Sequence, residues 1–273
     1  MAKKSKLKNR ILNAITLILI GFCSAVFVFA FLNILDWYRD NQATEKVIQE
    51  TQKDVKMTES DDNSMVVGEA KSKSDPYWDF IKMDLLQVDF SQLKSRNSDT
   101  VGWIQVPNTN INYPFVQAKD NDYYLHRSFD KKTNSAGWVF LDFRNNIKKL
   151  DQNTIIYAHG RYDMTMFGSL REILRSGWTN DSSNHVVRIS TENENTLWQV
   201  FSVYHLPTTT DYLYTNFQSD QNFSNFLKMI SGRSAHNFNT TVSQSDHILT
   251  LSTCYNKQER MVLHAKLIKR QLR

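Results

Sequence analysis

Apolar positions fall into successive patterns along this chain, and each predicts a different element. From Ile11 to Leu35 the run ILNAITLILIGFCSAVFVFAFLNIL carries no charge, and about 20 apolar residues suffice for a helix to cross a bilayer. Residues 36–75 are polar and charge-mixed, poor in aromatics after Tyr38 and without apolar period in their second half, which predicts a stalk, helical at first. From Pro76 onward Trp78, Ile81, Leu85, Val88 and Leu93 recur at helical spacing, with a proline suited to a first helical turn. Beyond Asn97 the period shortens to that of strands. VGWIQV, INYPFVQ, GWVFLDF, NTIIYAH, HVVRIS, LWQVFSVYHL, HILTLST and RMVLHAKLIK are rich in β-branched and aromatic residues and separated by turn formers, so about eight strands are predicted. Two helical segments interrupt them, MFGSLREILR at 166–175 and SDQNFSNFLKMI at 219–230, the second opened by a Ser219/Asp220 cap signal.

This order predicts a mainly β, α+β domain: a closed or nearly closed set of strands with a few helices packed outside. Four segments follow: 1–10, a basic tail; 11–35, a transmembrane helix; 36–75, a linker; and 76–273, one globular domain, which a chain of 273 residues accommodates readily.

Charge sharpens this division. The formal charge is +5, and Lys3, Lys4, Lys6, Lys8 and Arg10 account for all of it, so the remainder is neutral. A phosphate-tracking surface is therefore not expected, and nucleic acid is excluded as a partner. A basic cluster before the apolar run puts the N-terminus in the cytoplasm and the domain outside. The run is too long for the apolar region of a cleaved signal, typically about 7 to 15 residues, and lacks the small-residue cleavage site. The expected location is thus a cell membrane, single-pass, with the lipid bilayer as one partner.

The chain has two cysteines. Cys23 lies within the apolar run as a small filler and cannot pair with Cys254 across the membrane boundary. Cys254 is then a free thiol outside the cell, which either packs as a buried thiol or reacts. HILTLST runs straight into it, so it ends a strand, a fixed backbone position from which a side chain can serve a groove. A thiolate needs a cationic neighbour or a proton acceptor. Arg260 opens the following strand, and its guanidinium stays protonated and offers a rigid fork to a developing oxyanion, which lysine does less reliably. His159 ends the strand NTIIYA and titrates near neutrality, as a proton shuttle must. His264 is its rival, because it shares the two-residue parity of Arg260 on the same strand. No CxxC, HxxxH or carboxylate cluster suggests a metal, and no glycine-rich phosphate loop or GxSxG elbow is present, so neither metal nor organic cofactor is expected.

TLSTC ending in Cys254, the downstream arginine and the upstream IIYAHG together resemble a sortase. The likeness runs over roughly residues 76–273 and is to class B in particular, through DTVGWIQVPNTNINYPFVQAKDNDYYLHRSF, GWVFLDFRN, NTIIYAHGRYDMTMFGSLREIL and TTTDYLYTNFQSDQNFSNFL. Two departures stand out: the interval from Cys254 to Arg260 is short for class B, and the loop before Tyr212 is contracted.

The resemblance implies a closed sortase β-barrel with an N-terminal helix and a single membrane anchor. It implies that His159, Cys254 and Arg260 are catalytic, and that Asn121, Leu125, Tyr212, Leu213 and Ser252 bind substrate. It also implies a cysteine transpeptidase that cleaves a C-terminal sorting signal of a secreted surface protein through a thioester. The acyl group then passes to an amine of a peptidoglycan precursor or, alternatively, to a lysine of a pilin subunit. Transfer to water is a further enzyme reading, and a membrane-tethered binding or assembly domain with a structural Cys254 is the non-enzymatic one.

Overall fold

The computed structural model describes residues 2–53, 55–60, 63–68, 73–254 and 258–273, with residues 2–11 and Cys254 described by backbone alone. The predicted basic tail therefore lies outside the described side chains. Contacts divide the chain into one unit, residues 1–45, and a second, residues 46–273. The first unit is helical, part of α1 (Ala2–Lys53). Leu17, Ile18, Phe22, Phe27 and Phe29 are exposed, and the helix is apolar and long enough to cross a membrane. An apolar surface of that extent is stable only where something other than water covers it.

The second unit takes in the last turns of α1, from which Val47 and Ile48 join the core. Then come β1 (Met57–Ser60), β2 (Met65–Val66), α2 (Tyr77–Phe80), β3 (Leu85–Val88), α3 (Ser91–Arg96), β4 (Thr100–Gln105), β5 (Asn112–Val116), β6 (Phe140–Leu141) and β7 (Asn153–Tyr157). The chain continues through α4 (Ser176–Thr179), β8 (Val186–Ser190), β9 (Glu194–Pro207), α5 (Asp220–Gly232), β10 (Ile248–Cys254) and β11 (Glu259–Leu272). Hydrogen-bonded neighbours run β10-β7-β6-β5-β4-β8-β9-β11, and β10 pairs with β11, which closes eight strands into a barrel. All eight predicted runs supply a barrel strand. Closure leaves these strands no free edge.

Within the predicted stalk, β1 pairs with β3 and β2 with β11. The helix predicted from Pro76 onward is shorter than its apolar spacing suggested. Only Tyr77–Phe80 forms a turn, Leu85–Val88 is a strand, and helix resumes at Ser91. Leu85, Leu86 and Val88 are all buried, and the Val88 N–H donates to Ser190 Oγ on β8, so packing against the barrel overrides the local period. The 166–175 segment is a 3-10 helix at Gly168–Leu174 followed by α4. Its first residue has to be glycine, since a Cβ there would lie 2.2 Å from Arg161 O. The predicted cap of α5 is present: Ser219 Oγ accepts from the Asn222 N–H at 3.2 Å.

Strand alternation sorts the core into layers. Leu249 and Leu251 of β10 and Met261, Leu263 and Ala265 of β11 belong to the barrel core. Ile248 and Val262, of opposite parity, pack instead with Phe223, Phe226, Leu227 and Ile230 of α5. The even-numbered residues of these strands thus face outward, beneath α5 and the loop before it.

At Gly102 of β4 a Cβ would lie 2.4 Å from the fully buried Phe115 ring and 2.9 Å from Ser190 O. Gly102→Ala is therefore expected to cost about 1–3 kcal/mol by overpacking. Thermal unfolding followed by near-UV circular dichroism should show a fall of about 2–4 °C per kcal/mol. An unchanged melting temperature would contradict this account of the β4–β5–β8 contact.

Candidate active site

Strands β7 and β10 run parallel with Tyr157 opposite Ser252. Two residues beyond each lie His159 and Cys254. Strands β10 and β11 run antiparallel with Cys254 opposite Arg260, and Arg260 in turn is opposite Leu206 of β9. The three residues picked from sequence thus gather at one end of three neighbouring strands, His159 just past the end of β7, Cys254 at the last position of β10 and Arg260 at the second position of β11. The side chain of Cys254 and residues 255–257 lie outside the described residues, so the short Cys254–Arg260 interval is a feature of sequence alone.

His159 is partly buried and anchored at one nitrogen. Its Nε2 lies 2.8 Å from Leu125 O. A carbonyl only accepts, so Nε2–H donates there and Nδ1 is the nitrogen left to exchange protons. Burial pushes the His159 pKa below its usual value; the Leu125 bond opposes this, and His126 and Arg161 add to it. The imidazole is therefore neutral at neutral pH and ready to take a proton. Its seat depends on Gly137, whose φ is +60° and whose hypothetical Cβ would lie 2.6 Å from Tyr124 O, 2.8 Å from Leu125 O and 3.0 Å from His159 Cδ2. Only glycine suits both that backbone and that space.

The rival His264 is fully buried. Thr250 Oγ gives its hydrogen to Asn153 Oδ1 at 2.7 Å and so accepts from His264 Nδ1–H at 2.9 Å. The Tyr204 hydroxyl donates to the other nitrogen, Nε2, at 2.7 Å. Both nitrogens are satisfied in the neutral form, and burial, helped by Arg233, pushes the pKa down to about 3. This histidine is a structural residue with no proton to exchange near neutrality.

Arg260 is half-buried and donates through Nη1 to its neighbour Glu259 O at 3.3 Å. Among the described residues no carboxylate forms an ion pair with it, which leaves the guanidinium charge available to an anion.

The five residues that resemble substrate contacts surround the same strand ends. Leu125 holds His159 through its carbonyl. Asn121 donates to Asp142 Oδ2 at 3.0 Å and accepts from the Phe143 N–H at 3.0 Å. Tyr212 is only 1% exposed and packs in the α5 layer, with its hydroxyl 2.9 Å from Ser252 Oγ. Leu213 is half-buried against that layer, and its carbonyl accepts from Arg144 Nη2 at 2.9 Å.

Asp142 and Arg144 were not picked from sequence. In LDFRN they read as strand-end charges, and nothing local marks that Asp142 is buried. Burial alone would raise its pKa, but hydrogen bonds from Arg144, Asn121 and Tyr157 outweigh this and hold it below the usual carboxylate range. Among the described residues no group of three or more histidine, cysteine or acidic side chains is disposed to bind a metal.

The Sortase domain family model matches residues 104–268. Sortase B of Staphylococcus aureus is 36% identical over 188 residues, covering 67% of this chain and 76% of that protein. Sortase B of Listeria monocytogenes is 37% identical over 186 residues, covering 66% and 74%. Among solved structures, the Staphylococcus aureus sortase B–substrate complex superposes with a TM-score of 0.62 at 36% identity, over 66% of this chain and 84% of that one. A sortase B from B. anthracis superposes with a TM-score of 0.66 at 33% identity, over 86% of this chain and 99% of that one.

The state of His264 has a consequence for acid stability. Its folded pKa is depressed, so between about 6.5 and 3 the unfolded chain binds more protons than the folded one. The stabilisation is complete above about pH 6.5 and is lost as pH falls, on the order of 5 kcal/mol over the whole window. His159 works in the same direction. Denaturant unfolding between pH 7 and pH 4 should show a steep loss for the wild type and a flatter one for His264→Gln. Equal slopes would contradict the assignment.

Proposed function

The chain belongs to the sortase family and is class B-like, a cysteine transpeptidase, and from this premise we propose that it joins secreted surface proteins to an amine of the cell wall. The single observation that carries the site assignment is the strand register, which brings His159, Cys254 and Arg260 to one end of β7, β10 and β11.

The reaction then proceeds in two halves. Cys254 gives its proton to His159 Nδ1, and the thiolate attacks the scissile carbonyl carbon of the sorting signal. Arg260 faces the oxyanion. As the carbon–nitrogen bond breaks, His159 returns the proton to the departing amine and leaves a thioester on Cys254. An incoming amine attacks that thioester, His159 accepts its proton, and collapse forms the new amide and frees the thiolate. One amide is exchanged for another, with no net redox change and no cofactor. Leu125 and Leu213 offer the apolar surface against which a peptide lies.

The apolar stretch of α1 serves as a single-pass anchor, with the basic N-terminus in the cytoplasm and the catalytic unit outside. In that setting an exported protein and a lipid-borne acceptor precursor arrive at the same membrane face.

The test uses the full chain in detergent, a panel of sorting-signal peptides, and triglycine or a lysine-bearing peptide as acceptor. Mass spectrometry should find an acyl adduct on Cys254 and an amide-linked product, and Cys254→Ala should lose both. Product with triglycine favours a cell-wall amine; product with the lysine peptide alone would move the reading to pilin joining. Hydrolysis with either acceptor would overturn transfer, and full activity of Cys254→Ala would point to the binding module.

A second expectation concerns the seat of the histidine. Gly137→Ala must displace Leu125 or His159, and a shift of about 1 Å in catalytic geometry can cost on the order of 100-fold in rate. We expect kcat to fall by about that much while iodoacetamide still alkylates Cys254. An unchanged kcat would contradict the role assigned to this packing.

A further inference from the structure

Three segments border the strand ends where His159 and Cys254 lie. The first contains Asn121 and Leu125, the second is the loop 208–216 with Tyr212 and Leu213, and the third is β7 itself. One carboxylate joins them. Asp142 is completely shielded from solvent. Its Oδ2 accepts from Asn121 Nδ2 at 3.0 Å, from Tyr157 Oη at 2.9 Å and from Arg144 Nη2 at 2.7 Å. Its Oδ1 accepts from Arg144 Nε and from the Arg144 backbone N–H, both at 2.9 Å. Arg144 Nη2 also reaches Leu213 O at 2.9 Å. A single ion pair with a buried carboxylate thus fastens the Asn121 segment, the loop carrying Leu213, and Tyr157, which stands two residues before His159.

Satisfaction of donors and acceptors sharpens the point. The carbonyl oxygen of Asn121 is taken by the Phe143 N–H and one amide hydrogen by Asp142, leaving a single N–H for any ligand. The Tyr212 hydroxyl is engaged with Ser252, and its ring is buried. These side chains bond to one another and shape the groove, while the apolar faces of Leu125 and Leu213 stay partly open.

We propose that Asp142 and Arg144 form a latch that holds loop 208–216 against the Asn121 segment and so sets the width of the peptide groove. They are positioning residues, acting on the peptide through Leu213 and Asn121. Burial of the carboxylate makes this arrangement firm: Asp142 is shielded from water while the Arg144 guanidinium remains partly exposed, the bidentate fork is geometrically demanding, and its loss leaves a buried charge without compensation. The opposite side of the loop is fixed independently: Arg233 grips Asp211 at 2.9 and 2.6 Å, and the Asn153 side chain donates to Tyr214 O at 2.8 Å. Release of the latch should therefore loosen the groove side of the loop and leave its α5 side in place.

This inference rests on the transpeptidase reading for its link to peptide, but the latch itself can be read without activity. The test compares wild type with Arg144→Lys, which keeps the charge and loses the fork. Hydrogen–deuterium exchange on the full chain should rise at least fivefold for amides 209–213 and 121–125, with α5 unchanged. Steady-state kinetics with the sorting peptide identified for the wild type should show KM raised about tenfold and kcat within twofold. In a double-mutant cycle, Asn121→Ala should add little on top of Arg144→Lys, because both act through Asp142. Unchanged exchange in a folded variant overturns the latch. Raised exchange with unchanged KM overturns its role in binding peptide, as does a fall in kcat at constant KM. If Arg144→Lys misfolds by near-UV circular dichroism, Tyr157→Phe, which removes one donor from Asp142, is judged by the same exchange and KM criteria. A wild type that turns over no peptide would refute the transpeptidase reading, while exchange would still decide whether the latch exists.

Discussion

Strand β10 is hydrogen-bonded along both edges, to parallel β7 on one side and antiparallel β11 on the other, and the candidate active site depends on those two registers holding together. A slip of one residue in either pairing would undo the opposition of Cys254 to Arg260 or of Ser252 to Tyr157, and would exchange the core-facing Leu249 and Leu251 for the outward-facing Thr250 and Ser252. The register is guarded from both faces. Leu249 and Leu251 are committed to the barrel core, so slippage would drive apolar side chains out and polar ones in. On the outer face Thr250 bonds at once to Asn153 of β7 and His264 of β11, a polar contact that forms only when all three strands are aligned. Buried polar networks of this kind add little net stability, since their desolvation offsets their bonds, but they make one alignment far better than its neighbours.

His159 and His264 have the same chemistry and opposite roles, and their surroundings account for the difference. His264 has a partner on each nitrogen and is fully buried, so its proton is fixed and its pKa falls to about 3. His159 has one nitrogen fixed by Leu125 O, and burial shifts it less. Anchoring one nitrogen and leaving the other uncommitted is what a proton shuttle requires: orientation without loss of function. The 3-10 turn at Tyr123–Leu125 and the left-handed Gly137 shape the seat of that bond.

Much of this was legible in the sequence because it is local. The eight barrel strands announced themselves through β-branched and aromatic runs, and α5 through its apolar face and its serine cap. The TLSTC and IIYAHG segments mark Cys254 and His159 as candidates by sequence alone. Segment 76–93 misled because an apolar spacing close to the helical period coincided with a strand whose burial comes from β8 and β9, more than a hundred residues away. Asp142 was invisible for the same reason. A charged residue near the end of a strand run, two positions before an arginine, looks solvent-exposed, and its burial and bonding depend on Asn121 and Tyr157 arriving from two other places in the chain.

That a carboxylate is buried beside the groove at all calls for a physical reason. An apolar residue at position 142 could fill the same volume with no desolvation cost, and replacing buried ion pairs by packed hydrophobic groups is often neutral or favourable to stability. Such a residue would not fix direction, however. Five hydrogen bonds from three groups define where Asn121, Tyr157 and Arg144 stand, whereas apolar contacts tolerate sliding. Around a groove proposed to receive an extended peptide in one frame, direction matters more than cohesion. The barrel core supplies the cohesion, and the polar ties at its outer end turn that rigidity into a defined distance between Leu213, Leu125 and the histidine strand.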